Sequence, residues 1–175
     1  MRFLTAEECV AWCDARDYAT VHHPGYLIPT PCDPIGFGFA AYAPPVDSGV
    51  KVYLCRELFA KLEPAPEYLV WLGSWSVWPS SQHFPLVSAL RRAHGEQRPL
   101  IEAPGFLAAR AELDDALTYF IVAMLFVWDC HVFSASGQEA LFVSHDEVGW
   151  FASRDEFKVA RVRQHLSEMA EANSA

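Results

Sequence analysis

At 175 residues the chain has the length of one domain, residues 1–175, and its 52% hydrophobic and 14% aromatic content is the opposite of the weakly hydrophobic, highly charged signature of disorder. Thirteen Lys plus Arg against 22 Asp plus Glu give a formal charge of -9. The average surface therefore repels phosphate backbones and anionic membranes, which excludes nucleic acid and membrane as expected partners and favours a protein with a basic surface.

The first element follows a capping box at Thr5 and Glu8, with Leu4 placed to staple onto Cys9, and a helix is predicted from Ala6 to Arg16. Its apolar stripe of Cys9, Val10, Trp12 and Cys13 makes both cysteines core residues. A proline-ruled loop from His22 to Gly36 leads to a short strand at Phe37–Tyr42, and after the Pro44–Pro45 turn helical spacing predicts a helix over Lys51–Leu62. The nearly continuous apolar run Glu67–Trp75 reads as a central strand with both faces covered. Pro79-Ser80-Ser81 opens a helix to about His94, with Phe84, Val87 and Leu90 inward and Arg91 and Arg92 outward. Glu96–Gly105 is a connection.

A very apolar helix is expected over Leu113–Trp128, with Asp114 and Asp115 favouring its N-terminal dipole. Its most apolar run, Ala116–Trp128, is 13 residues, short of the roughly 20 needed to cross a bilayer, so the helix belongs in the core. The period then changes to alternation, predicting a hairpin of Cys130–Ser134 and Glu139–Ser144 around Ala135-Ser136-Gly137-Gln138. Val148–Ala152 reads as a further edge strand, and a last helix runs from Asp155 to about Ala172. The fold class expected is α+β, a mostly antiparallel sheet of four to five strands packed with four to five helices around a buried central helix.

Cys9, Cys13, Cys32, Cys55 and Cys130 are odd in number and scattered, which excludes a disulfide framework and predicts reduced, mostly buried thiols. The N-terminus has no basic region followed by an apolar stretch, so a cytoplasmic chain is expected. No G-x-S-x-G, G-x-x-x-x-G-K, G-x-G-x-x-G or H-E-x-x-H occurs, and no cofactor or metal is expected.

The residue types that carry chemistry gather at Ser144-His145-Asp146-Glu147, directly after the second hairpin strand. Asp129 and His131 alternate across Cys130, so a strand would put them on one face and the hairpin would bring them near His145. An Asp with two His suits acid–base or metal chemistry, and His145, Asp146, Glu147, Asp129 and His131 make the candidate catalytic set of a metal-dependent hydrolase or other enzyme. The competing account is a polar turn closed by Ser144 or Asp146, with His131 half-buried beside a neighbouring strand. Cys32 and Cys130 are the only plausible thiol nucleophiles, and Asp33 beside Cys32 opposes the thiolate there. Trp75, Trp78 and Trp150 form the aromatic candidates for a binding surface, because Trp is enriched at interface hot spots as well as in cores.

Three stretches, Trp75-Ser76-Val77-Trp78-Pro79-Ser80-Ser81 before a helix, the exit Phe126-Val127-Trp128-Asp129, and Phe142-Val143-Ser144-His145-Asp146-Glu147 after a hairpin, give Tyr68–Phe151 a likeness to small acidic bacterial proteins. Some of these resemble immunity proteins that guard cells against toxin effectors. The resemblance implies a bacterial, cytoplasmic protein and assigns no catalytic residue. With the acidic charge, it makes a non-catalytic protein-binding domain of toxin-immunity type the leading expectation, with the hydrolase as the alternative.

Overall fold

The computed structural model describes residues 1–22, 29–32, 34–75 and 83–172. Their elements, in chain order, are β1 (Arg2–Leu4), α1 (Ala6–Asp14), β2 (Thr20–Val21), β3 (Thr30–Pro31), β4 (Gly38–Tyr42), α2 (Ser48–Lys61), β5 (Glu67–Leu72), α3 (Phe84–Ala93), β6 (Gly105–Ala109), α4 (Leu113–Phe126), β7 (Cys130–Ser134), β8 (Glu139–Val143), β9 (Gly149–Ser153) and α5 (Glu156–Ala172). A seven-stranded sheet runs β1-β6-β5-β7-β8-β9-β4 with every neighbouring pair antiparallel, and β2 and β3 form a separate two-stranded ribbon. The class is α+β with five helices, and the sheet is wider than the four to five strands expected.

Two differences account for the extra width. β1 is only three residues long, and β6 is the small-residue run Gly105-Phe106-Leu107-Ala108-Ala109, whose weak intrinsic strand preference is overridden by pairing on both sides. Gly105 is required where it stands, because a Cβ there would lie 2.4 Å from Cys9 Sγ. β9 is not an edge strand: β4 pairs with its outer side, and all five of its residues are buried.

One sheet face meets α2, α4 and α5. Tyr68, Val70 and Leu72 of β5, Cys130 and Val132 of β7, Leu141 and Val143 of β8 and Phe151 of β9 pack there with Ala116, Tyr119, Phe120, Ala123 and Met124 of α4. The opposite face holds Leu69, Trp71, Leu107, Phe133 and Trp150, covered in part by Cys9, Trp12 and Cys13 of α1. Alternation along each strand therefore feeds two cores, which is why the central strands read as unbroken apolar runs.

α4 ends at Phe126, earlier than the expected Trp128, because Val127 turns into the left-handed region with φ 59° and Trp128 N–H bonds Ala123 O at 3.0 Å. Arg91 is not outward as expected: it is buried, donating to Ala103 O at 2.7 Å and Arg98 O at 3.0 Å, so its charge stitches α3 to the connection before β6. No helix among the described residues is long and apolar enough to cross a membrane.

Candidate functional site

The site lies at the sheet end where β5 and β8 finish and β7 and β9 begin. α4 delivers the chain through Val127 and buried Trp128 to Asp129, just before β7. Gly73, just past β5, donates its N–H to Asp129 O at 2.8 Å, and the approach is so close that a Cβ on Gly73 would sit 2.9 Å from Asp129 Cβ. The β7–β8 register pairs Cys130 with Val143, which sets Asp129 opposite the start of the turn that follows β8.

That turn is closed by its own backbone and hydroxyl groups. Ser144 N–H donates to Val148 O at 2.8 Å, Glu147 N–H to Ser144 O at 3.2 Å, and Asp146 N–H to Ser144 Oγ at 3.1 Å. Glu147 takes the left-handed conformation with φ 56°, an uncommon state for a residue with a Cβ. Ser144 thus closes the turn, as the polar-turn account of this tetrapeptide expects, and the turn holds His145 in place.

Asp129 Oδ1 accepts the main-chain N–H of His145 at 2.7 Å and lies 2.7 Å from His145 Nδ1. With Nδ1 as the donor, the carboxylate fixes both the position of the residue and the tautomer of its ring, the orienting relation found in acid–base dyads. His145 Nε2 lies 3.5 Å from Asp146 Oδ1, whose side chain is 68% exposed. Asp129 and the imidazole are mostly covered, at 16% and 18% exposure, so the pair is strengthened relative to one in open water.

His131 does not join them. Asp129 precedes the strand, so its side chain is not bound to the alternation that governs His131. The His131 ring instead packs on the sheet face, 4.2 Å from Phe142 and 5.5 Å from Phe133, in a row that runs from Trp71 through His131 and Phe142 to Trp150 on neighbouring strands. Its Nδ1 has no hydrogen-bond partner among the described residues. Burial pushes its pKa down to about 3 against the smaller opposing pull of Asp129, so the ring is neutral near pH 7. Glu147 is exposed at the outer corner of the turn. Among the described residues no group of three or more His, Cys, Asp or Glu is arranged to hold a metal ion.

The thiols offer no nucleophile at this site. All five cysteines are free, Cys9, Cys13, Cys55 and Cys130 are buried, and Cys32 is half-buried. Burial raises the Cys13 and Cys55 pKa values to about 12 and the Cys130 value well above the ordinary range, which disfavours a thiolate.

Among the aromatic candidates, Trp150 is 8% exposed and sits edge-on to Phe39 at 5.4 Å, so its ring serves the second core and presents little surface to a partner. Trp75 is half-buried against the helix-side core, and Trp78 lies outside the described residues. Exposed apolar surface at this end comes from residues the sequence did not single out. Val148 is 53% exposed, and Val46, in the Ala43–Asp47 turn after β4, is 99% exposed. The two turns leave the same end of the sheet because Tyr42 pairs with Gly149. Gly149 is a glycine because the Tyr42 ring lies across it, 2.4 Å from where a Cβ would be, on its way to donate to Phe142 O at 2.8 Å. Comparison of the chain with protein-family models, curated proteins and solved structures finds no match in any of the three.

Proposed function

We propose that this chain is a non-catalytic protein-binding domain of toxin-immunity type whose contact surface is the sheet end bearing the 144–148 turn. The observation that carries this reading is the pairing there of exposed acids with exposed apolar side chains: Asp146 and Glu147 beside Val148, and Asp47 beside Val46 on the adjoining turn. An apolar anchor within a charged rim is the usual anatomy of a specific interface, and the excess of carboxylates selects a basic partner. In this reading Asp129 and His145 hold the turn in the shape it presents. The net charge of -9 adds long-range attraction that speeds encounter.

The test is association of the purified chain with basic toxin domains encoded beside its gene, followed at low and physiological salt. Binding whose on-rate falls as salt rises, and falls further in an Asp146→Lys/Glu147→Lys variant, supports the proposal. Failure to bind any of them at either salt concentration removes it.

The 2.7 Å contact between Asp129 and His145 favours a second reading, a hydrolytic enzyme in which the carboxylate orients an acid–base imidazole. In its metal-dependent form the reading is decided by elemental analysis of the purified protein. A stoichiometric metal that disappears in His145→Ala would favour the enzyme, and metal-free wild type counts against it.

A further inference from the structure

Building on the reading of the chain as a protein-binding domain, we propose that β4 is a strand-addition edge that takes an extended segment of a partner protein, apolar at alternate positions and basic at one end. β4 is an outer strand of the seven-stranded sheet, with no strand on its far side among the described residues. Its sequence, Gly38-Phe39-Ala40-Ala41-Tyr42, contains no charge and no proline, the features by which edges are ordinarily protected. The opposite edge, β1, is only three residues long.

The main-chain groups of β4 are disposed for pairing. Phe39 O accepts from Arg163 Nη2 at 2.7 Å, an exposed contact on the side away from β9. In an antiparallel ladder both main-chain groups of alternate residues point to the same side, so Ala41, two residues on and itself exposed, presents its N–H and C=O outward as well. A long, exposed arginine is a replaceable cap, and an incoming strand would take over its carbonyl.

Beside this edge runs a groove of about 480 Å³ whose walls include Ala41, Tyr42, Pro44, Val46, Leu166 and Met169. Added strands gain affinity from the ladder and specificity from pockets that receive alternate side chains, and this edge and groove supply one of each. Charge selects the occupant. A second pocket that shares Val50 and Met169 with the groove is lined by Asp47, Glu168 and a His165 that is itself 2.9 Å from Glu57, and the last turn of α5 contains no basic residue, so its carbonyl end adds negative potential there. A Lys or Arg of the partner fits that end. A second copy of this chain, itself carrying -9, is opposed.

The experiment selects random linear dodecapeptides displayed on phage against the full chain, then measures the synthetic winners by fluorescence anisotropy. Enriched peptides are expected to alternate apolar residues and to carry a Lys or Arg. Ala41→Pro should weaken them about tenfold or more, since it removes a ladder donor, yet proline is tolerated at an edge position whose N–H faces solvent. Glu168→Lys should weaken them about threefold at low salt and less at high salt. Protection of the Ala41 amide from hydrogen exchange on binding would be specific to strand addition, and Met169→Glu, which closes the groove, serves if Ala41→Pro does not fold. Three results would overturn the proposal: no enrichment over an Ala41→Pro target, peptides that bind Ala41→Pro as tightly as wild type, or a concentration-dependent dimer of this chain that Ala41→Pro abolishes. In the second case, loss of the peptides on Asp146→Lys/Glu147→Lys would leave the protein-binding reading standing and remove only the edge.

Discussion

The two ends of β8 each carry a cluster of charged side chains, built in opposite ways. At the start of the strand Glu139 is 2% exposed and forms an ion pair with Lys158 of α5, while its second oxygen accepts Glu63 N–H at 2.6 Å and its carbonyl takes the Tyr18 hydroxyl at 2.8 Å. Glu63 Oε1, 3.3 Å from Lys158 Nζ, completes the arrangement. Every partner comes from a distant part of the chain, and the central Glu139–Lys158 pair is closed off from solvent, with the exposed Glu63 side chain at its rim. Past the other end His145 is held by Asp129, but the turn around it shows Asp146, Glu147 and Val148 to solvent. The first cluster ties the α2–β5 connection, β8 and α5 together. The second spends its hydrogen bonds on shaping a surface, which is why it is the place to look for recognition.

The largest expected effect breaks the closed cluster. Lys158→Met leaves the Glu139 carboxylate buried without its counter-charge and should cost about 3–5 kcal/mol in urea unfolding. Adding Glu139→Gln, which keeps an acceptor for Glu63 N–H, should restore most of that loss. A single variant within about 1 kcal/mol of wild type would mean that the pair is solvated and that the contrast between the two ends is false.

How far these ends were legible in the sequence follows from the range of the interactions involved. The β7–β8 hairpin was readable to within one residue, β8 ending at Val143 and leaving Ser144 to the turn, because alternation and a Gly-containing turn are local signals, and it carried with it the approach of Asp129 to His145. All five helices were readable from periodicity, and α1 from its cap as well, the box at Thr5 and Glu8 closing with Thr5 N–H to Glu8 Oε2 at 2.8 Å; the start expected for α3 at Pro79-Ser80-Ser81 lies outside the described residues. β6 and the internal place of β9 were not, since partners far along the chain decide both. Arg91 reads as a surface charge because an isolated Arg nearly always is, and the burial of both Arg91 and Lys158 depends on acceptors that only folding brings to them. His131 was grouped with the site by a strand alternation that Asp129, one residue outside the strand, does not obey.

The second effect concerns His131, between the two ends on β7. Its pKa is near 3 when folded and near the ordinary 6.5 when unfolded, so between those values the unfolded chain binds the extra proton. Stability is therefore fully present above pH 6.5 and falls as the pH drops toward 3, by about 1.4 kcal/mol per pH unit from this residue. Unfolding followed from pH 7 to pH 5 should show a drop of about 2 kcal/mol that is absent in His131→Phe, the difference between the two curves removing what the carboxylates contribute. Curves that stay parallel would place a charged or solvated imidazole at 131 and bring it back toward the Asp129–His145 pair.

A smaller loss is expected from Asp129→Ala, which removes the acceptor for both the main chain and the ring of His145. Because the pair is partly solvated, about 1–2 kcal/mol is expected, well below the cost of opening the Lys158–Glu139 pair. The informative readout is at the turn, where hydrogen exchange of the His145 and Glu147 amides should accelerate while the Glu139 end keeps its protection. Equal acceleration at both ends would show that β8 opens as one unit and that the site has no local stability of its own.

The smallest effect has the opposite sign. Of the three non-glycine residues with positive φ among the described residues, Val127 and Glu147 flank the site, one at the helix exit that leads to Asp129 and the other in the turn that holds His145. A β-branched residue is the least suited to the left-handed region, where an L-residue costs about 1–2 kcal/mol. Val127→Gly relieves that strain but gives up about 0.5–1 kcal/mol of chain entropy, leaving a net gain of about 0.5–1 kcal/mol in thermal or urea unfolding. If stability rises while binding at the 144–148 turn weakens, the strained valine is holding Asp129 where His145 needs it, and the open end of β8 has been kept at a cost in stability that the closed end does not bear. If stability falls instead, packing of the half-buried valine outweighs its backbone strain, and the difference between the ends rests on exposure alone.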